Sequence, residues 1–232
     1  MCSRYALTSP SENLHKRFKL DVTEAYKPTY NAAPTNLLPV ITNQNPKGFS
    51  FFYWGATPKM ANDKTISAKL YNARSDELTG KASYRIALES RRCLVPANGY
   101  YDWKRIGKKG RIPYWIYPET RDEFSFAGIW EEYDDDDGRT EHVFRIITVP
   151  TNGIVDSNSD QMPAILNSED EIFWLNSNTQ KNELMSFLKS YPLGKMRSHS
   201  VSTRLNNTSV NEPSLIEHLP PTDQFGNYTL FS

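Results

Sequence analysis

The sequence predicts a single α+β domain built mainly from antiparallel sheet. Three observations carry this expectation. Strand-like runs outnumber helical ones: LLPVIT (37–42), FSFFYW (49–54), NGYYDW (98–103), PYWIY (113–117), FSFAGIW (124–130) and FRIITV (144–149). Turn residues separate these runs at short intervals, with no regular βαβ alternation. The chain also carries 13 Tyr, 11 Phe and 5 Trp, an aromatic weight that suits a β-rich globule and does not suit disorder.

The helical signals are fewer. Ser9-Pro10-Ser11-Glu12 places a capping residue before a proline, with a glutamate three positions after Ser9. It predicts a helix to about Leu20, with Leu14 and Phe18 on one face. Residues 83–91 put Tyr84, Ala87 and Leu88 on a second apolar face. Ser168-Glu169-Asp170-Glu171 reads as a capping box leading into Ile172, Phe173 and Leu175. Leu184, Phe187 and Leu188 mark a further helix. The acidic run Asp134 to Asp137, followed by Gly138 and flanked by two strand-like runs, reads as a solvated hairpin turn. Calcium loops need ligands at alternating offsets, which this run lacks.

Composition bounds the function classes. A chain of 232 residues hides about 72% of its extended surface on folding, enough for a core without staples. No linker or repeat divides it, so one domain over 1–232 is expected. Lys+Arg and Asp+Glu are both 27, which argues against a partner held by bulk charge but leaves a local basic groove possible. The two cysteines, Cys2 and Cys93, exclude a disulfide scaffold and a Cys-rich zinc module. No metal or organic cofactor is implied. The start lacks an apolar signal segment, and no window is long and apolar enough to span a bilayer. A reducing cytoplasm and no membrane partner are the expectations, with a monomer as the default state.

Four segments hold candidate chemistry. Removal of the initiator methionine would leave Cys2 with both an α-amine and a thiol. That amine titrates near ~7.7–8.0, so much of it is free base at neutrality. It condenses with an aldehyde, and the thiol closes onto the same carbon as a thiazolidine. Taken alone, a terminal cysteine more often has no role. In residues 91–104 (RRCLVPANGYYDWK), Asp102 lies between Tyr101 and Trp103. A carboxylate among aromatics is partly desolvated, which raises its pKa and suits acid–base work. An exposed strand aspartate is the bland alternative, and Cys93 reads as a buried apolar residue. In residues 71–77, Asn72 offers an amide and Arg74 a guanidinium fork for phosphate, or simply a polar loop with a surface salt bridge. Residues 148–166 read as a loop returning to a short apolar strand, with no independent catalytic signal.

Together these segments resemble the SOS-response-associated peptidase (SRAP) family, the abasic-site processing group. The resemblance runs from Met-Cys-Ser-Arg at the start through YNAAPT (30–35), WGATP (54–58), NARS (72–75), residues 91–104, GIW (128–130) and DQMPAIL to VSTRLN (201–206). It implies the SRAP fold, barrel-like with peripheral helices. It also implies trapping of an abasic-site aldehyde in single-stranded DNA through Cys2, with a possible peptidase or lyase-like activity of the same residue. By the resemblance, Cys2 is the nucleophile, Asn72 hydrogen-bonds near the reacting sugar, Asp102 stands at the catalytic carboxylate, Arg4 and Arg74 hold phosphates, and Trp103 is the DNA-binding aromatic next to that carboxylate.

The sequence departs from the family pattern at several points. The family glutamate is Asp102 here, one methylene shorter. The family histidine aligns with Ser159 and the arginine of its H-D-R-M-P motif with Gln161. Tryptophans usual after W-G-x-x-P are replaced by Met60 and Ala61. Trapping needs mainly the aminothiol, an amide and a carboxylate, so it is expected to survive better than release, with DNA affinity reduced. A cysteine hydrolase with Asp102 as base and a diverged, non-catalytic binding module are the competing readings.

Overall fold

The computed structural model describes residues 2–21, 23–57, 59–60, 70–134, 137–157 and 159–228. Among these residues thirteen strands run in chain order: β1 (Tyr5–Leu7), β2 (Thr29–Ala32), β3 (Leu37–Thr42), β4 (Ser50–Trp54), β5 (Asn72–Arg74), β6 (Arg92–Ala97), β7 (Gly99–Ile106), β8 (Gly110–Pro118), β9 (Phe124–Asp134), β10 (Thr140–Pro150), β11 (Gln161–Pro163), β12 (Ile165–Leu166) and β13 (Met196–Ser200). Four α-helices among the described residues accompany them: α1 (Ser11–Phe18), α2 (Ala82–Ser90), α3 (Ser168–Leu175) and α4 (Lys181–Phe187). The α+β expectation therefore stands, with sheet dominant.

The sheets show what the local patterns could not. Strands β10, β4, β3, β6 and β9 pair in turn, and β9 pairs back with β10, closing a five-stranded barrel. Closure uses a parallel contact, Val143↔Tyr53 and Phe144↔Trp54, and β5 adds a second parallel pairing at Ile146↔Asn72. The sheet is thus not wholly antiparallel. A second sheet has the order β13-β8-β7-β1-β2. Trp54, Phe126, Ile129 and Phe144 are fully or almost fully buried within the core. A closed barrel leaves no free edge, so such apolar strands are safe from edge-to-edge pairing.

Two helix starts differ from their predicted caps. Ser9 does not cap α1; the flanking residue is Pro10, with no side-chain cap bond. The Ser9 hydroxyl instead donates to Glu123 and accepts from Asn98 Nδ2 at 2.9 Å. Asn167, also without a cap bond, flanks α3. Glu171 turns inward, where the Arg17 guanidinium grips it bidentately at 2.8 and 2.9 Å and Ser125 donates at 2.7 Å. Burying that carboxylate requires those partners, and the demand outweighs a cap worth ~1 kcal/mol. The acidic run does join antiparallel strands, β9 and β10, in register Asp134↔Thr140. Asp135 and Asp136 lie outside the described residues, as does Ala61.

Candidate functional site

Strand β1 lies between β2 and β7 and draws the chain start into the molecule. The Tyr101 N–H donates to the Arg4 carbonyl at 3.0 Å, which anchors the approach to β1. Cys2 is consequently buried, with only 2% of its surface exposed. Its carbonyl accepts from Asn72 Nδ2 at 2.8 Å. Its thiol points toward the Arg4 carbonyl at 3.8 Å. Burial pushes the Cys2 thiol up to about 12, and the nearby negative charge of Asp102 adds to the rise. At neutral pH this sulfur is a thiol, not a thiolate.

Asn72 owes its place to its neighbours. Trp54 Nε1 donates to the Tyr71 carbonyl at 2.8 Å, and the Ile146 N–H reaches the same oxygen at 3.2 Å. Gly55, at φ +80°, packs its backbone against Tyr71; a Cβ there would lie 2.6 Å from Tyr71 Cα. Only glycine allows that approach, which fixes the strand presenting Asn72. Close to Cys2, three polar atoms are buried without a hydrogen-bond partner among the described residues: Arg4 Nε, Tyr5 Oη and Asn72 Oδ1. Orphaned buried groups of this kind cost stability unless something pairs with them.

Asp102 sits on β7 opposite Tyr114. Gly99, at the start of the strand, cannot carry a side chain, because a Cβ would meet the Trp115 ring at 2.4 Å. Burial raises the Asp102 carboxyl above the usual range. It remains hydrogen-bonded, accepting from the Trp103 N–H at 2.8 Å and from the Ser157 hydroxyl. Ser157 in turn accepts from the Ser159 N–H at 3.0 Å. The loop is held to β7 by the Arg105 N–H, which donates to the Asp156 carbonyl at 3.0 Å.

Cys2, Asn72 and Asp102 thus converge from three distant parts of the chain. Ser159 joins them through its backbone; its hydroxyl donates to the Gln161 carbonyl at 2.7 Å. Gln161 is buried, its side chain folded onto the Asp160 carbonyl at 3.2 Å. Arg74 is half-buried and clamped by Asp76 and Asp160 at 3.0 and 3.1 Å. The histidines have contacts elsewhere: His15 with the Leu20 carbonyl, His142 stacked on Phe52, and His199 with the Ile216 carbonyl and the His218 ring.

Beyond Cys2 opens a cleft of about 580 Å³ lined by Ser3, Arg4, Trp103, Lys109, Arg111, Asn206 and Gln224. It holds three cations and no carboxylate. Trp103 is fixed by its indole N–H, which donates to Asn206 Oδ1 at 3.1 Å. Arg4 and Trp103 were legible as candidates in the sequence; Lys109, Arg111, Asn206, Gln224 and Ser157 were not. The run Lys108-Lys109-Gly110-Arg111, a basic turn, was the available signal for two of them. Among the described residues, no group of three or more His, Cys, Asp or Glu is placed to hold a metal. No helix among them is long and apolar enough to cross a membrane.

The chain is similar in sequence and in fold to known proteins. Residues 1–208 match the family model described as SOS response associated peptidase (SRAP). The chain is 36% identical over 222 residues to the abasic site processing protein YoqW of Bacillus subtilis, covering 94% of this chain and 99% of that protein. It is 27% identical over 237 residues to the abasic site processing protein HMCES of Xenopus tropicalis, covering 88% of this chain and 70% of that protein. A crystal structure of a protein from Bacteroides thetaiotaomicron superposes with a TM-score of 0.84 at 28% identity, covering 94% of this chain and all of that one.

Proposed function

Because the chain belongs to the SOS response associated peptidase family, we propose that it processes abasic sites, and that it does so by trapping the ring-opened sugar in single-stranded DNA through Cys2. The observation that carries the reading is the burial of Cys2 beside Asn72 and Asp102. Once Met1 is removed, the Cys2 amine attacks the aldehyde carbon and forms a carbinolamine. The carbinolamine hydroxyl takes up a proton from solvent and leaves as water, giving an iminium. The sulfur then bonds to that carbon, the iminium π-pair moves to nitrogen, and the thiol proton passes to the carboxylate of Asp102. The product is a thiazolidine. A raised carboxyl is the better proton acceptor for this step. Asn72 Oδ1, left without a partner, can accept from a sugar hydroxyl, and the three cations of the cleft suit the flanking phosphates.

A peptidase role for Cys2 is supported less well, since its thiol is held neutral and none of the histidines is placed to ionise it. A second reading, a binding module without covalent chemistry, draws on Ser159, whose hydroxyl is committed to the Gln161 backbone. The two are separated by incubating the protein at low salt with an oligonucleotide carrying one abasic site. The covalent reading predicts a shifted band that survives denaturant and requires the aldehyde. Absence of that band from Met1-free protein contradicts it.

A further inference from the structure

The family match ends at residue 208, yet the chain after it contributes to the cleft. Thr222 and Tyr228 form an antiparallel bridge. Between them Asp223, only 8% exposed, organises a tight loop. Its carboxylate accepts from the N–H groups of Phe225 and Asn227, both at 2.9 Å, and from Asn227 Nδ2 at 3.1 Å. The loop presents Gln224, whose side chain docks at the start of β8, on either side of Gly110. Gln224 Oε1 accepts from the Arg111 N–H at 2.6 Å, and Nε2 donates to the Lys109 carbonyl at 2.7 Å. The two residues it grips are those that carry the outer cations of the cleft. Neither Lys109 nor Arg111 forms an ion pair among the described residues, whereas Arg74 is clamped by two carboxylates.

We propose that the C-terminal segment Thr222–Tyr228 is part of the strand-binding site, with Gln224 as the positioning residue that holds Lys109 and Arg111 against the phosphodiesters of a single strand whose base stacks on Trp103. The proposal rests on the DNA reading above but not on the chemistry of Cys2. Two unpaired cations on one short stretch repel each other, and a side-chain amide bonded on both sides of Gly110 restrains the backbone that carries them. Phosphate contacts made from a restrained backbone lose less conformational entropy on binding.

The test uses a fluorescent oligothymidylate with no abasic site, titrated at several salt concentrations. Each lost phosphate contact makes the slope of log affinity against log salt shallower by about 0.7 for a single strand. Arg111→Ala is expected to lose about one such contact. Gln224→Ala is expected to weaken binding by about fivefold at low salt and to flatten the slope as well, because misplaced cations release fewer counterions. Gln224→Glu, which places a carboxylate among the cations, is expected to weaken it further. In a Lys109→Ala/Arg111→Ala background, Gln224→Ala should change affinity by less than about twofold, since coupled residues are not additive. A purely structural role would lower thermal stability without moving the slope. The proposal is overturned if Gln224→Ala keeps the wild-type affinity and slope, if Gln224→Glu binds as tightly as wild type, if the alanine effect persists undiminished without both cations, or if the wild-type protein does not bind the strand at low salt. Failure of wild-type protein to cross-link an abasic strand would remove the Cys2 chemistry and leave this measurement standing.

Discussion

Cys2→Ser is expected to abolish the denaturant-stable product on abasic DNA, reducing it to the background seen without protein. With Met1 removed, serine keeps the α-amine, so the Schiff base still forms and can be captured by borohydride. A hydroxyl is a far poorer nucleophile toward that carbon, and ring closure fails. The substitution exchanges one atom in a buried site whose carbonyl contact with Asn72 is untouched, so the fold is kept. Parallel gels with and without borohydride read both steps. Equal yields of the borohydride-independent product from serine and cysteine would show that the sulfur takes no part.

Asp102→Asn is expected to slow cross-linking by about 10²- to 10⁴-fold, the range contributed by a positioned acid–base group. The rate of the wild-type protein should fall in acid as Asp102 takes up its proton, at a pH above the ordinary aspartate range because burial raises this carboxyl. The asparagine variant should lose that inflection and keep only the fall set by protonation of the Cys2 amine. Stability should move the other way. A carboxyl whose folded pKa is raised contributes stability below its unfolded pKa, and that contribution is lost as pH rises through the folded one. At neutral pH the charged Asp102 is therefore a cost, and Asp102→Asn is expected to melt at a higher temperature than wild type. The difference should shrink as pH falls below the ordinary aspartate range. A variant both slower and less stable at neutral pH would mean that its bonds to Trp103 and Ser157 outweigh the desolvation of its charge.

Much of the fold was legible because it is local. The run LLPVIT became β3 with the predicted bounds Leu37–Thr42. The Leu14–Phe18 spacing became α1, and Tyr84, Ala87 and Leu88 became the buried face of α2. Barrel closure was not legible, because the contacts Val143↔Tyr53 and Ile146↔Asn72 join segments separated by dozens of residues, and no local period encodes them. Strand β1 is three residues long, below the length at which alternation is readable. Ser9 and Glu171 had the pattern of caps, but each found a stronger partner in tertiary structure. The site divides in the same way. Cys2 has a chemistry of its own once its amine is free, and Asp102 between aromatics hints at a shifted pKa. The basic cleft was hidden by a net charge of zero, since that sum says nothing about where 27 cations lie. Gln224 belongs to no motif, and only folding brings it to the cleft wall.

The central claim is that sulfur and nitrogen of one residue close on one sugar carbon. Intact mass of the protein before and after reaction with an abasic oligonucleotide tests it most directly. The account predicts a starting mass lacking Met1, and a product equal to protein plus cleavage-free oligonucleotide minus one water, with peptide mapping placing the DNA on Cys2. An adduct mapped to any other residue, or formed on protein that retains Met1, would contradict it.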